Sequence, residues 1–197
     1  KIPGSFAYVR QQEPAGLGHA VWCARHLVGN EPVAVILADD LIKGSSTIKE
    51  MISNYSSGNM LAIMDVNNQD VSSYGIISPG KTLENNMTEI LGLIEKPSIE
   101  KAPSNMAVVG RYIIEPSVFK ELEKQNRGTS NEIQLTDAIA NRIGKSHCYG
   151  YKFTNDRFDC GSKLGFIQAN IKLSIERDDL SEKLKSWLKD EFLNGDV

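Results

Sequence analysis

Two acidic positions far apart in the chain, Asp39 and Asp159, are the residues best suited to chemistry. Asp39 follows at once on the apolar run Val33-Ala34-Val35-Ile36-Leu37-Ala38, and Asp159 lies in Arg157-Phe158-Asp159-Cys160-Gly161. In open α/β sheets, ligands bind beyond the carboxyl ends of the strands. A carboxylate just past a strand is therefore placed to hold a cation against a phosphate, and Mg²⁺ takes one or two carboxylates together with waters and phosphate oxygens. Plainer readings stay open: Asp39 or Asp40 caps a turn, and an aspartate near a glycine is ordinary loop chemistry.

Two further clusters have the same double character. Gly16-Leu17-Gly18 stands between an extended segment and a helical pattern. Glycines there let a ligand approach the backbone, and a helix start favours anions; a tight helix-start turn is the equal alternative. The segment lacks the third glycine of a dinucleotide fingerprint, because Val21 occupies that position, and no Walker A pattern occurs. Glu95-Lys96-Pro97 closes the apolar run Ile90–Ile94, where an acceptor beside a cation could grip a sugar hydroxyl and a phosphate, or form a surface ion pair at a strand end.

Other chemistries lose support. The net charge of −3 gives no electrostatic footprint for nucleic acid or an anionic membrane. No apolar run approaches the roughly 20 residues that span a bilayer, and Lys1–Arg10 lacks the apolar stretch of a signal peptide. Cys23, Cys148 and Cys160 form no Cys-x-x-Cys pair and fit reduced thiols in a cytoplasmic protein. His19, His26 and His147 make no metal-ligand cluster and read as structural or surface residues.

The elements that must position these groups follow from periodicity. Strands are predicted at Phe6–Arg10, Pro32–Ala38, Met60–Val66, Ile90–Ile94, Ala107–Ile114 and His147–Phe153, with Pro32–Ala38 read as a parallel strand buried on both faces. Helices are predicted from Gly16 to Val28 and from Ser46 to Tyr55, capped by Ser45 or Ser46. Others follow Pro116, run from Ile133 to Ile143 behind a capping box at Thr129–Glu132, and span Gly165–Arg177 and Ser181–Phe192. The last carries a stripe of Leu180, Leu184, Trp187, Leu188 and Phe192, for core packing or subunit contact. Turn residues between Val71 and Glu95 mark short strands and loops at the sheet edge. The alternation predicts a three-layer α/β/α fold with a mostly parallel mixed sheet.

Taken in order, these segments resemble bacterial UTP–glucose-1-phosphate uridylyltransferases, within the sugar-1-phosphate nucleotidyltransferase superfamily. The likeness runs from about Phe6 to Phe192. It is carried by Val9-Arg10-Gln11, Gly16-Leu17-Gly18-His19-Ala20, Pro32–Asp39, Ser73-Tyr74-Gly75, Glu95-Lys96-Pro97, Ala102–Asn105, Val109–Tyr112, Asn131–Ala138 and Asp159-Cys160-Gly161. The resemblance implies transfer of UMP from UTP to glucose 1-phosphate, giving UDP-glucose and pyrophosphate. It implies that Gln11 and Gly16 read the uracil edge, and that Asp39 and Asp159 carry Mg²⁺. Gly75, Glu95 and the Val108 backbone would contact glucose, and Lys96 the sugar phosphate. Asn131–Ala138 receives no single catalytic atom. A homodimer or homotetramer is implied as well.

The family opens with a strand and a Gly-rich loop that bears an arginine, and nothing in Lys1–Ala15 matches it. The expectation is one domain over residues 1–197, the C-terminal two-thirds of the family's full chain without its N-terminal strand, and inactive in this form. A non-catalytic nucleotide-sugar-binding module, a metal-dependent glycosyltransferase using Asp39-Asp40, and a sister nucleotidyltransferase are the alternatives.

Overall fold

The structure, a computed structural model, describes residues 6–44, 46–124 and 131–192. The described residues gather into two compact units. One is formed by the chain up to Leu37 and from Ser46 to Thr154, the other by Ala38–Ser45 and the chain from Asn155 on.

The first unit is built on six strands: β1 (Val33–Ile36), β3 (Asn59–Asp65), β4 (Gly75–Thr82), β5 (Met87–Glu95), β6 (Met106–Ile114) and β7 (Cys148–Lys152). Their order across the sheet is β1-β6-β3-β7-β5-β4, with an added β4–β6 pairing. Strands β1, β3, β4 and β7 point one way, while β5 and β6 run against them. The α/β class and mixed sheet agree with the expectation. Among the described strands, however, parallel pairing is confined to β3–β7, because β6 inserts antiparallel between β1 and β3.

The apolar run of β3 is buried throughout at Met60–Ile63. Leu61 and Ile63 belong to a core with Ile77, Ile90 and Leu93 of β4 and β5. It is roofed by Val118 and Leu122 of α4 (Ser117–Lys124) and by Leu135, Ala138 and Ile139 of α5 (Leu135–Ala140). Burying each such Leu or Ile side chain contributes about 1.5–3 kcal/mol. Helix α3 (Thr47–Asn54) lies against β3 and β6 and buries Met51. Ser46 stands at its N-cap without a side-chain hydrogen bond, and Ser45 lies outside the described residues.

Two strand expectations are corrected. Phe6–Arg10 has no ladder partner among the described residues; Phe6 and Tyr8 are exposed, and β propensity counts only on a surface that another strand covers. The Val33–Ile36 run is not a parallel strand buried on both faces. It is antiparallel to β6 at one side of the sheet, with alternating burial and Ile36 exposed. A short apolar run fixes a strand but not the number of its neighbours.

Elsewhere the local chemistry is as read. The β4–β5 hairpin turns through Asn85 and Asn86, with φ of 57° and 60°. Asn tolerates that left-handed backbone. The first helical stretch breaks once, giving α1 (Leu17–Cys23) and α2 (Arg25–Val28). Thr129 and Ser130 of the expected capping box lie outside the described residues.

The second unit joins β2 (Asp40–Ile42) antiparallel to β8 (Arg157–Asp159) and carries α6 (Lys163–Ile175) and α7 (Ser181–Phe192). Ser162 Oγ caps α6 by accepting from Gly165 N at 3.0 Å. On α7, Leu184 and Leu188 are half-buried, while Trp187 and Phe192, with Leu180 just before the helix, are exposed. Among the described residues no helix is long and apolar enough to cross a membrane.

Candidate functional site

The turn before α1 is held on the segment that leads into α5. Gly18 N donates to Ile133 O at 2.8 Å, and Ile133 N donates to Ala15 O at 2.7 Å. Gly16 has φ of 101°, and a Cβ there would stand 2.7 Å from Glu132 Cβ and 2.8 Å from Ile133 O. A Cβ on Gly18 would meet Ile133 O at 2.7 Å. The chain's own packing therefore requires glycine at both positions. Gln11 closes the turn: its Nε2 donates to Gly16 O at 3.0 Å and lies 3.0 Å from His19 Nδ1.

A second group gathers at the end of the β4–β5 hairpin. Register places Gly75 opposite Glu95 and Ile76 opposite Ala107, which brings Val108 of β6 beside Gly75. Glu95 is nearly buried, with a side chain only 10% exposed. Burial pushes its carboxyl above the usual glutamate range. The hydrogen bond from Thr136 and the charge of Lys96 work against that rise, and Asp137 and Glu132 add to it. Thr136 Oγ1 donates to Glu95 Oε2 at 2.7 Å. A Cβ on Gly75 would lie 3.0 Å from Thr136 Cγ2 and 3.1 Å from Glu95 Oε2, so this carboxylate stands over bare backbone. Lys96 takes φ of 45°, a left-handed conformation that costs a non-glycine residue energy. Its amide donates to Tyr74 O at 3.0 Å, and its ammonium, half-exposed, lies 3.9 Å from Glu95 Oε1.

The segment from Glu132 to Thr136 thus serves both groups. Its Ile133 backbone seats the Gln11–Gly16 turn, and its Thr136 hydroxyl braces Glu95. Sequence reasoning singled out Asn131–Ala138 without assigning an atom. A threonine at the start of a helix is an ordinary residue, and only the fold shows which acid it meets.

In the second unit the two aspartates converge. Cys160 N donates to Asp39 O at 2.7 Å, and Gly161 N donates to Asp159 Oδ1 at 3.0 Å. A Cβ built on Gly161 would lie 3.1 Å from both Asp39 Oδ2 and Asp159 Oδ1, so both carboxylates face one small space that glycine leaves open. The neighbouring Asp40 turns away into an ion pair with Arg157 Nε and is buried. Adjacent acids of the same type therefore have different work, a distinction that sequence position left open. Among the described residues no cluster of three or more His, Cys, Asp or Glu side chains could hold a metal. A pair of oxygen donors with an open side suits Mg²⁺, which keeps waters and phosphate oxygens in its shell, and does not suit zinc.

The remaining candidates are unremarkable. His147 stacks on Tyr149 with ring centroids 5.8 Å apart. All three cysteines are free, and burial, with Glu115 nearby, pushes the Cys148 thiol up to about 12, out of reactive range.

The family model described as nucleotidyl transferase matches residues 3–175. Among curated proteins, UTP–glucose-1-phosphate uridylyltransferase 1 of Staphylococcus saprophyticus subsp. saprophyticus is 38% identical over 185 residues, which cover 92% of this chain and 64% of that protein. UTP–glucose-1-phosphate uridylyltransferase of Staphylococcus epidermidis is 40% identical with the same coverage. The chain thus spans 64% of the length of these relatives. Among solved structures, UDP-glucose pyrophosphorylase complexed with UDP-glucose superimposes with a TM-score of 0.83 at 43% identity, covering 87% of this chain and 67% of that one.

Proposed function

Because the chain belongs to the nucleotidyl transferase family, we propose that it works in transferring UMP from UTP to glucose 1-phosphate, yielding UDP-glucose and pyrophosphate. The observation that carries this reading is the Glu132–Thr136 segment, which seats the Gln11–Gly16 turn by its backbone and braces Glu95 by its threonine. The names of the relatives and the UDP-glucose held by a similar structure support it.

In this reading Gln11 and the Gly16 backbone take the uracil edge. Glu95, Gly75 and the Val108 backbone take the glucose ring, with Glu95 accepting from sugar hydroxyls. Lys96 pairs with the sugar phosphate. An oxygen of the glucose 1-phosphate phosphate attacks the α-phosphorus of UTP; the bond from that phosphorus to the oxygen of the leaving pyrophosphate breaks, and no covalent enzyme intermediate forms. The residues act by positioning: a braced, nearly buried Glu95 fixes the sugar, and a pinned Gln11 fixes the base, so the reacting groups meet in a narrow range of orientations. Asp39 and Asp159 would hold Mg²⁺. When bound, that ion neutralises charge on phosphate oxygens. A cytoplasmic homodimer or homotetramer belongs to the same proposal, supported by the exposed apolar residues of α6 and α7.

The test is turnover by the full-length protein of UTP and glucose 1-phosphate with Mg²⁺. Pyrophosphate and UDP-glucose should appear in equal amounts. Glucose transfer from UDP-glucose to an acceptor, or UDP-glucose binding without pyrophosphate release, would overturn the proposal in favour of a glycosyltransferase or a binding module.

A further inference from the structure

Two partners fix which way the Gln11 amide faces. The Gly16 carbonyl can only accept, so the amide atom 3.0 Å from it is the nitrogen. That nitrogen has protons but no acceptor capacity, and it also lies 3.0 Å from His19 Nδ1. Nδ1 therefore accepts. The imidazole is neutral with its proton on Nε2, which faces Cys23 Sγ at 3.8 Å. Both amide protons are engaged, and Oε1, with no partner among the described residues, is the amide's remaining group. Gly16 O also accepts from Ala20 N at 3.1 Å as a bond of α1, whereas His19 Nδ1 has no other donor among the described residues.

We infer that His19 is a positioning residue that sets base specificity: by accepting at Nδ1 it locks the Gln11 amide with its oxygen turned to the ligand, so the turn selects a pyrimidine whose ring nitrogen carries a hydrogen. Uracil has that N–H. Cytosine presents a bare acceptor at the same place, which would oppose Oε1 acceptor to acceptor. A site built to meet a donor rejects an analogue that lacks it, because its own polar group is left unpaired. The inference rests on the proposed reading of Gln11 as the base contact.

The experiment compares kcat/KM for UTP and CTP, with glucose 1-phosphate as second substrate, in the full-length protein and in His19→Asn and His19→Phe. Asparagine keeps an acceptor on a similar reach; its UTP:CTP ratio should stay within about threefold of wild type. Phenylalanine keeps a ring but no acceptor; its ratio should fall by about tenfold or more, the worth of one hydrogen bond at a recognition edge. Loss of fold would lower both nucleotides together and leave the ratio alone. If His19→Phe does not fold, His19→Lys, which places a donor against the amide, should lower the ratio at least as far. An unchanged ratio in the acceptor-free variant, with wild type using UTP, overturns the role of His19 and leaves the proposed function standing. A ratio that falls equally in His19→Asn overturns it too, since an acceptor would then not be what matters. A wild type that uses neither nucleotide sinks the proposed function and this inference together.

Discussion

The Glu95 group and the Asp39–Asp159 pair both set an acid against glycine backbone, by opposite means. Glu95 is nearly buried, bonded by Thr136 and faced by Lys96, with its carboxyl pushed up by burial. Asp39 is exposed, and what places it is main chain: its carbonyl accepts from Cys160 N, and β2 and β8 pair in register beside it. The first arrangement costs desolvation and returns a rigid acceptor. The second leaves Asp39 exposed and both carboxylates facing one space open to a cation. Stability and activity should therefore separate between the two regions, and each substitution below tests that separation.

The largest effect is expected from Asp39→Asn in the full-length protein. Removing one of two oxygen donors should lower kcat by about 100-fold or more, the scale seen when one stabiliser of developing charge is lost. Because Asp39 is exposed and its backbone contact is kept, the melting temperature should move by less than about 2 °C. Steady-state turnover with a thermal melt reads both. Unchanged turnover would remove Asp39 from the metal role, and a large drop in melting temperature would show that the pair is structural.

Next comes Gly16→Ala. Its φ of 101° and the 2.7 Å approach of a Cβ to Glu132 Cβ act together. Strain of this kind costs about 1–3 kcal/mol, more when backbone must shift, so urea denaturation should show a lower midpoint with little change in slope. A midpoint equal to wild type would mean that the turn relaxes freely and does not depend on the Ile133 seat. Gly161→Ala gives the contrast: its added Cβ would press on the two carboxylate oxygens, so turnover should suffer and stability should not.

How much of this was readable beforehand follows the same division. Asp39, Asp159 and Glu95 were legible as candidates because each stands at the end of an apolar run or near a glycine, where a turn cap, a loop or a strand-end ion pair would serve as well. The helices, the Asn85-Asn86 turn and the α/β class came from periodicity and turn chemistry, which are local. What could not be read is long-range. Nothing in the Val33–Ile36 run says that its neighbour is the antiparallel β6, since any partner satisfies an apolar strand. Thr136 and His19 are ordinary helix residues until the fold sets one against Glu95 and the other against Gln11. The divergence of Asp39 from Asp40 depends on Arg157, more than a hundred positions away.

A smaller effect is expected from Thr136→Val, which keeps the shape and removes the donor to Glu95 Oε2. A buried acceptor that loses its partner costs about 1–3 kcal/mol, and half-exposed Lys96 can move in to recover part of that. Stability should fall by about 1 kcal/mol, and KM for glucose 1-phosphate should rise more than kcat falls, because Glu95 loses its fixed direction. A kcat loss without a change in KM would take Thr136 and Glu95 away from sugar positioning.

The smallest effect separates the two regions by their response to pH. The folded pKa of Glu95 is raised above its unfolded value, chiefly by burial. Such a group contributes stability that is fully present below the unfolded pKa and is lost as pH rises through the folded pKa. Glu95→Gln removes that titration while keeping an acceptor for Thr136. Relative to Glu95→Gln, wild type should therefore lose stability as pH climbs through the range just above the ordinary glutamate value, and the difference should be flat at neutral pH. Lys96→Ala should widen that difference, because the Lys96 charge that opposes the rise is gone. Urea midpoints taken across the acid range read the slope directly. Parallel pH profiles for wild type and Glu95→Gln would mean that the carboxylate is as well solvated folded as unfolded, and the contrast between a dry acid in one region and wet acids in the other would fail.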